Sequence, residues 1–236
     1  MSTQAKSIGR TVGVLYILGT GFGILSAAVT SSVSGSSDPL EAAASSQTEL
    51  AIGALLILGM ASVLALIPVV AYPILSQVNK LLARGYFLFR SVLEAVTYLM
   101  TVVAWLLLIS LSASTDMPSV WGESLFNLEG AAVAGPIAFL TGAAMFYYIL
   151  YRGRLVPRWI SIWGLLAILP NLVSVLLVLF TDVDVTTTST TTVLLELPIG
   201  LQEMVLAVWL IVKGFGTDQV EYQTENERTL EPSPSV

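Results

Sequence analysis

Ionisable side chains inside otherwise apolar stretches are the residues of this chain that could do chemistry. Arg90 and Glu94 are four residues apart in one such stretch, a spacing that puts both on one face of a helix, and Tyr98 continues that face. Glu203 lies in a later stretch, and counting back from Lys213 places it about 15 Å along a helix that rises 1.5 Å per residue. Within a bilayer, a charge at that depth costs at least about 2.5 kcal/mol. Such a charge is normally paired, turned inward or functional.

These side chains define a predicted polar core that joins the third and sixth apolar stretches. With two further deep polar residues, it consists of Arg90, Glu94, Tyr98, Asn171, Gln202 and Glu203. One interpretation is structural: Arg90 pairs with Glu94, while Glu203 is neutral or shares the same arginine. The other is functional: the two carboxyls carry a proton or a cation, or form the polar end of a small-molecule pocket. The sequence leaves both interpretations open.

Paired carboxyls can also perform acid–base catalysis, but the remaining composition argues against an enzyme. The chain has no His, which removes the commonest metal ligand and the usual general base near neutral pH. It has no Cys, which excludes disulfides, thiol nucleophiles and zinc–thiolate or iron–sulfur sites. We find no nucleophile motif and no cluster of metal-binding carboxylates. We therefore predict no catalytic residue, no metal site and no cofactor.

The elements that must position the polar core are long apolar helices. Of the 236 residues, 55% are hydrophobic and 11% are charged, whereas soluble domains carry roughly 25% charged residues. A helix needs about 20 residues to cross a hydrocarbon core of roughly 30 Å. Stretches of that length occupy residues 11–29, 50–75, 87–111, 131–151, 159–180 and 193–212. The sequence predicts an all-α bundle of six membrane-spanning helices.

The basic residues of the chain all fall on one side of the six-helix alternation. They are Lys6, Arg10, Lys80, Arg84, Arg90, Arg152, Arg154, Arg158, Lys213 and Arg228. The other three connections, at 30–49, 112–130 and 181–192, contain no Lys or Arg. The positive-inside rule then places both termini in the cytoplasm and the protein in the cytoplasmic membrane as a multi-pass protein.

This alternation divides the chain into three parts. Residues 1–10 are predicted as a cytoplasmic N-terminal segment, 11–214 as the six-helix domain, and 215–236 as a disordered acidic cytoplasmic tail. The net charge of −6 argues against nucleic acid as a partner, because nucleic acid is bound through clustered Lys and Arg. Membrane lipid is the expected surrounding. Gly19 and Gly23 form a pair of small residues that suits either packing within the chain or a homo-oligomer face.

Four parts of the sequence resemble a known family of bacterial membrane proteins, grouped as domain of unknown function 4386. The matching parts are RTVGVLY at 10–16, Phe89 and Arg90 with Glu94, YILYRGRLVPR at 148–158 with Ser161 and Gly164, and EMVLAVWLIVKG at 203–214. The resemblance covers nearly the whole chain from Arg10 to Phe215. It implies a six- or seven-helix membrane protein and draws attention to Arg90, Glu94, Glu203, Trp209 and Lys213. It implies no particular activity.

Two functions therefore compete. In the first, the protein binds or moves a small solute or a proton through the polar core of the third and sixth helices. In the second, it is a non-catalytic structural or accessory subunit with a membrane-complex partner. A transporter should show a water-accessible cavity that reaches Glu203, whereas an accessory subunit should have a closed core.

Overall fold

The computed structural model describes residues 3–112, 120–127, 129–180 and 190–216, and all regular structure within these ranges is helical. The helices are α1 Thr3–Val29, α2 Ser31–Ser34, α3 Pro39–Ser45, α4 Gln47–Val78, α5 Lys80–Phe87, α6 Glu94–Leu111, α7 Val120–Asn127, α8 Glu129–Gly153, α9 Arg158–Phe180 and α10 Thr190–Val212. A π-helical segment, Leu88–Leu93, joins α5 to α6. Almost all of the predicted segment 1–10 thus belongs to α1, whereas the predicted tail lies outside the described residues beyond 216.

Six of these helical stretches are long and apolar enough to cross a membrane, which confirms the predicted six-helix bundle. The spans are α1, α4, the continuous stretch from α5 through α6, α8, α9 and α10. The stretch from α5 through α6 is called the third span below. Each span is rich in Leu, Ile, Val and Ala, and many of these side chains face outward, as a lipid environment requires.

The six spans form a closed ring. Helix α1 packs between α4 and α10, α10 packs on α9, and α9 packs on α8. The third span closes the ring because it packs on both α8 and α4. In this order the third span and α10 are opposite one another. Their side chains can therefore meet only in the interior of the ring.

Glycines allow α1 to approach its two neighbours closely. A Cβ atom at Gly13 would lie 2.5 Å from the backbone oxygen of Ala207 in α10. A Cβ atom at Gly19 would lie 2.6 Å from a methyl carbon of Leu64 in α4, and one at Gly23 would lie 3.0 Å from the sulfur of Met60. The pair Gly19 and Gly23 therefore serves packing within the chain, as small residues do in membrane bundles.

The π-helical segment interrupts the third span where the sequence predicted a continuous α-helix. The backbone N–H of Glu94 donates to the carbonyl of Phe89, five residues earlier. The hydroxyl of Ser91 donates to the carbonyl of Ala65 in α4 over 2.7 Å, which ties the segment to its neighbour. Segments of this kind are rare and frequently occur at functional sites. This one contains Arg90.

The short helices close the bundle at the end opposite the basic connections. Asp38 caps α3 because its side chain accepts hydrogen bonds from the amides of Leu40 and Glu41. Trp105 of α6 stacks on Phe126 of α7 at 5.3 Å between ring centroids, and its indole N–H donates to the Phe126 carbonyl. These contacts form a second, smaller apolar core at this end.

Candidate functional site

Arg90 occupies the centre of the ring and is held by Glu94 from its own span. Its Nη1 donates to the two carboxylate oxygens of Glu94 over 2.8 and 2.9 Å. The Tyr98 hydroxyl donates to one of the same oxygens over 2.9 Å. Side chains of Arg90 and Glu94 are 4% and 2% exposed, so the pair is shielded from the surroundings. The predicted polar face of the third span is thus a connected network.

Glu203 reaches the same guanidinium from the opposite side of the ring. Its Oε1 lies 3.6 Å from Nη2 of Arg90, which is an ion-pair distance and longer than a good hydrogen bond. The Glu203 side chain is 16% exposed, compared with 2% for Glu94. Arg90 therefore holds one carboxylate tightly and a second one loosely.

Aromatic rings surround this ion cluster. The guanidinium carbon of Arg90 lies 4.9 Å from the centroid of the Phe139 ring, within the range of a cation–π contact. Tyr86 stacks on Phe146 at 4.7 Å between centroids. A narrow gap separates these side chains, and it is too small to hold a water molecule. Its walls are Tyr16, Tyr86, Arg90, Phe139, Ala143, Phe146, Tyr147 and Glu203.

Two donors that face this gap have no hydrogen-bond partner among the described residues. They are Nε of Arg90 and the hydroxyl of Tyr86. Buried polar groups are normally paired, so two donors without a partner beside an ion cluster are exceptional, and the gap that their residues line is too narrow for a water molecule to pair with them.

Gln202 lies beside Glu203 but has a different role. It accepts a hydrogen bond from the Tyr147 hydroxyl over 2.6 Å and donates to the carbonyl of Ile160 over 3.1 Å. This buried side chain therefore links α8, α9 and α10. A Cβ atom at Gly164 would lie 2.5 Å from the Tyr147 ring, so the glycine lets Tyr147 lie flat against α9.

Asn171, the last of the predicted core residues, is not brought to the cluster. It is buried in α9, but it does not line the gap around Arg90. Its side-chain oxygen has no hydrogen-bond partner among the described residues. The sequence places Asn171 at a suitable depth, but depth alone does not determine which way a residue on a helix faces.

The sequence did not predict the aromatic wall of the gap, which consists of Tyr16, Tyr86, Phe139, Phe146 and Tyr147. Tyr86 is four residues before Arg90, so extending the polar face of the third span by one turn would have found it. Tyr16 lies at the end of the RTVGVLY stretch. Tyr147 and Phe139 carry no such signal, because every face of α8 contains large apolar or aromatic residues.

No three Asp or Glu residues in the described part of the chain lie close enough together to hold a metal ion, and the chain has no His or Cys. The two core carboxylates already face a cation of the protein itself, Arg90. The chemistry that this arrangement can perform is exchange of a proton.

The ring of six apolar spans around a buried ion cluster defines the class: a multi-pass α-helical integral membrane protein with a charged interior. Comparison with models of protein families identifies the family. The chain belongs to the family described as "Domain of unknown function (DUF4386)", whose model matches residues 11–214. Comparisons with curated proteins and with solved structures found no match.

Proposed function

We propose that the protein binds and moves a proton, or a small solute with it, through the polar core, and that Glu203 is the exchangeable group. The observation that carries this proposal is that one buried guanidinium faces two carboxylates, at 2.8 Å for Glu94 and 3.6 Å for Glu203.

The charges of this cluster do not balance when every group is ionised. Arg90 contributes one positive charge, and Glu94 and Glu203 contribute one negative charge each. A net charge inside a bilayer costs at least about 2.5 kcal/mol. Binding one proton makes the cluster neutral, and losing it restores the negative charge. The site is therefore suited to hold one exchangeable proton.

The geometry favours Glu203 over Glu94 as the group that exchanges. Glu94 accepts hydrogen bonds from Arg90 and from Tyr98, and each of these stabilises its carboxylate. Among the described residues, Glu203 is held by the single longer contact to Arg90. It also comes from a different span, so a small shift of α10 would change its distance from Arg90 without breaking the tighter pair.

The described residues around Glu203 do not enclose the water-accessible cavity expected of a solute transporter, so the proton is the favoured cargo. A larger solute would need the helices to separate, since the space around Arg90 does not hold a water molecule. Prolines inside α4, α8, α9 and α10 provide places where such helices can bend.

A second candidate function is that of a structural or accessory subunit. The closed core supports it, because a core too narrow for water is what a purely structural ion cluster would show. In that case the Arg90 cluster only holds the third span to α10. The two functions differ in whether Glu203 exchanges a proton with the surroundings.

Liposomes with the reconstituted protein and an internal pH dye test the proposal. An imposed pH gradient should dissipate faster with the wild type than in empty liposomes, and Glu203→Gln should abolish the difference. Glu41→Gln is the matched control, because Glu41 is an exposed carboxylate on α3 and should leave the flux unchanged. Wild-type liposomes without flux, across a panel of added solutes, would favour the accessory role instead.

We further propose that both termini face the cytoplasm and that the membrane is the cytoplasmic one. The distribution of Lys and Arg supports this orientation. Reporter fusions after Val78, Gly153 and Gly216 should then report a cytoplasmic location, and fusions after Gly35, Glu123 and Thr188 an external one. Reversed signals at two or more of these positions would contradict the orientation.

A further inference from the structure

A groove opens at the basic end of the bundle, where α8 connects to α9 and α10 ends. It has a volume of about 480 Å³, within the range of small-molecule sites. Its walls are Arg154, Leu155, Val156, Pro157, Arg158, Trp209, Lys213, Gly214 and Gly216. Unlike the gap around Arg90, this groove is wide enough for a ligand group and open to the outside.

The charged side chains that line the groove are all positive. Arg154, Arg158 and Lys213 line it, and the described residues that line it include no Asp or Glu. None of the three cations forms an ion pair with a described carboxylate, whereas Arg90 in the ring interior faces two. Three like charges around one space repel each other, and an anion in that space would relieve the repulsion.

The walls of the groove are fixed by local structure. Gly214, which follows the last turn of α10, has a φ of 76° and turns the chain away from the helix. The backbone N–H of Gly216 donates to the carbonyl of Leu155 over 2.8 Å. This bond joins the end of α10 to the connection between α8 and α9. The guanidinium of Arg158 lies 5.4 Å from the centroid of the Tyr151 ring, which restricts its orientation.

Arg154 adopts a backbone conformation that normally favours glycine. Its φ is 50°, in the left-handed region, where a residue with a Cβ atom is strained by roughly 1–2 kcal/mol. Gly153, one position earlier, is the last residue of α8, and a Cβ atom there would lie 2.5 Å from Val78, so close packing requires a glycine at that position. The left-handed conformation falls on the next residue, Arg154, which lines the groove.

The groove lies at the level of lipid headgroups. The hydrophobic spans next to it end at Gly153, begin at Arg158 and end at Val212, so it starts where three helices leave the apolar layer. Trp209 lines it, and tryptophan together with lysine and arginine is typical of this interfacial level. We propose that the groove binds a phosphate-bearing anion at the headgroup level through Arg154, Arg158 and Lys213.

Lipid nanodiscs test this proposal with the full chain. Native mass spectrometry should detect phosphatidylglycerol retained on wild type extracted from mixed phosphatidylglycerol and phosphatidylcholine nanodiscs. The double variant Arg158→Gln with Lys213→Gln should weaken that retention at least tenfold. The control double variant Lys80→Gln with Arg84→Gln removes two exposed cations at the same end but outside the groove, so it matches the loss of general attraction to anionic lipid. It should change retention less than twofold.

Two further arms identify the source of the phosphate and guard against misfolding. Inorganic phosphate titrated against protein in pure phosphatidylcholine nanodiscs should raise the thermal unfolding midpoint if free phosphate also binds; a response to phosphatidylglycerol alone assigns the site to lipid. Arg154→Gly should lower retention and leave the midpoint unchanged or higher, because it relieves the backbone strain. Equal losses in both double variants, retention undiminished in the groove variants, or no response to either anion would overturn the proposal.

Discussion

Two sets of basic side chains in this protein have opposite surroundings. Arg90 is buried in the ring interior, faces two carboxylates and borders a gap too narrow for water. Arg154, Arg158 and Lys213 border an open groove of about 480 Å³, and no described carboxylate lines this groove. Within the membrane, carboxylates of the protein itself pair with the buried cation, because an unpaired charge there is expensive. At the headgroup level, the three cations of the groove have no described carboxylate partner and are available to an external anion. The difference predicts that removing the interior cation lowers stability far more than neutralising the cations of the groove.

The largest effect should follow from removing Arg90. Arg90→Leu leaves Glu94 and Glu203 buried without their cation, and loss of one member of a buried pair costs roughly 3–5 kcal/mol. Unfolding free energies measured in mixed micelles should fall by this amount. Adding Glu94→Gln should restore more stability than adding Glu203→Gln, because Glu94 is the closer partner. Equal losses in Arg90→Leu and in both double variants would contradict the pairing.

A smaller effect should follow from crowding the aromatic wall of the interior. Gly164→Ala places a methyl group against the Tyr147 ring and disturbs its hydrogen bond to Gln202, which should cost about 1–3 kcal/mol. Gly21→Ala is the matched control, since a Cβ atom there meets nothing within 4 Å, and it should be neutral or stabilising by up to about 1 kcal/mol. Thermal unfolding in one detergent compares the two variants. Equal destabilisation would mean that the interior is not closely packed around Tyr147.

The smallest effect on the free energy of unfolding should follow from replacing cations of the groove with neutral side chains. Arg158→Gln with Lys213→Gln removes no described ion pair, but it removes the exposed contact of Arg158 with the Tyr151 ring, so the unfolding free energy should change by no more than about 1 kcal/mol. The same mixed-micelle measurement as for Arg90→Leu gives the comparison. A loss as large as that of Arg90→Leu would show that the groove cations are structural and would remove the contrast between the two regions.

Much of this arrangement could be predicted from the sequence. Hydrophobic length alone gives the six spans, and helical spacing gives the contact of Arg90 with Glu94 and of Glu94 with Tyr98. Helical rise also gives the depth of Glu203, but its approach to Arg90 depends on the ring order that places α10 opposite the third span. The spans and the contacts along the third span follow from the sequence because their physics is local to one helix.

The other features of the site depend on how the helices are rotated and arranged around one another, and the sequence of a single helix does not determine this. The ring order places the third span opposite α10, and this brings Tyr147 and Phe139 of α8 to the cluster while Asn171 of α9 stays away from it. The π-helical segment at Arg90 shifts the register of the third span and has no sequence signature. The groove could not be predicted because Arg154, Arg158 and Lys213 come from two separate parts of the chain that meet only in the folded bundle, and along the sequence they indicate only topology.

The central claim is that Glu203 is the group that exchanges a proton, and infrared spectroscopy of the reconstituted protein tests it most directly. Difference spectra recorded as the pH is changed should contain the C=O stretching band of a buried carboxylic acid in the wild type. That band should disappear in Glu203→Gln and shift in frequency in Glu203→Asp. In Glu94→Gln it should move to lower pH, because Arg90 then has Glu203 as its single carboxylate partner and that pair is neutral without a proton. A band that survives in Glu203→Gln, or that disappears only in Glu94→Gln, would contradict the account.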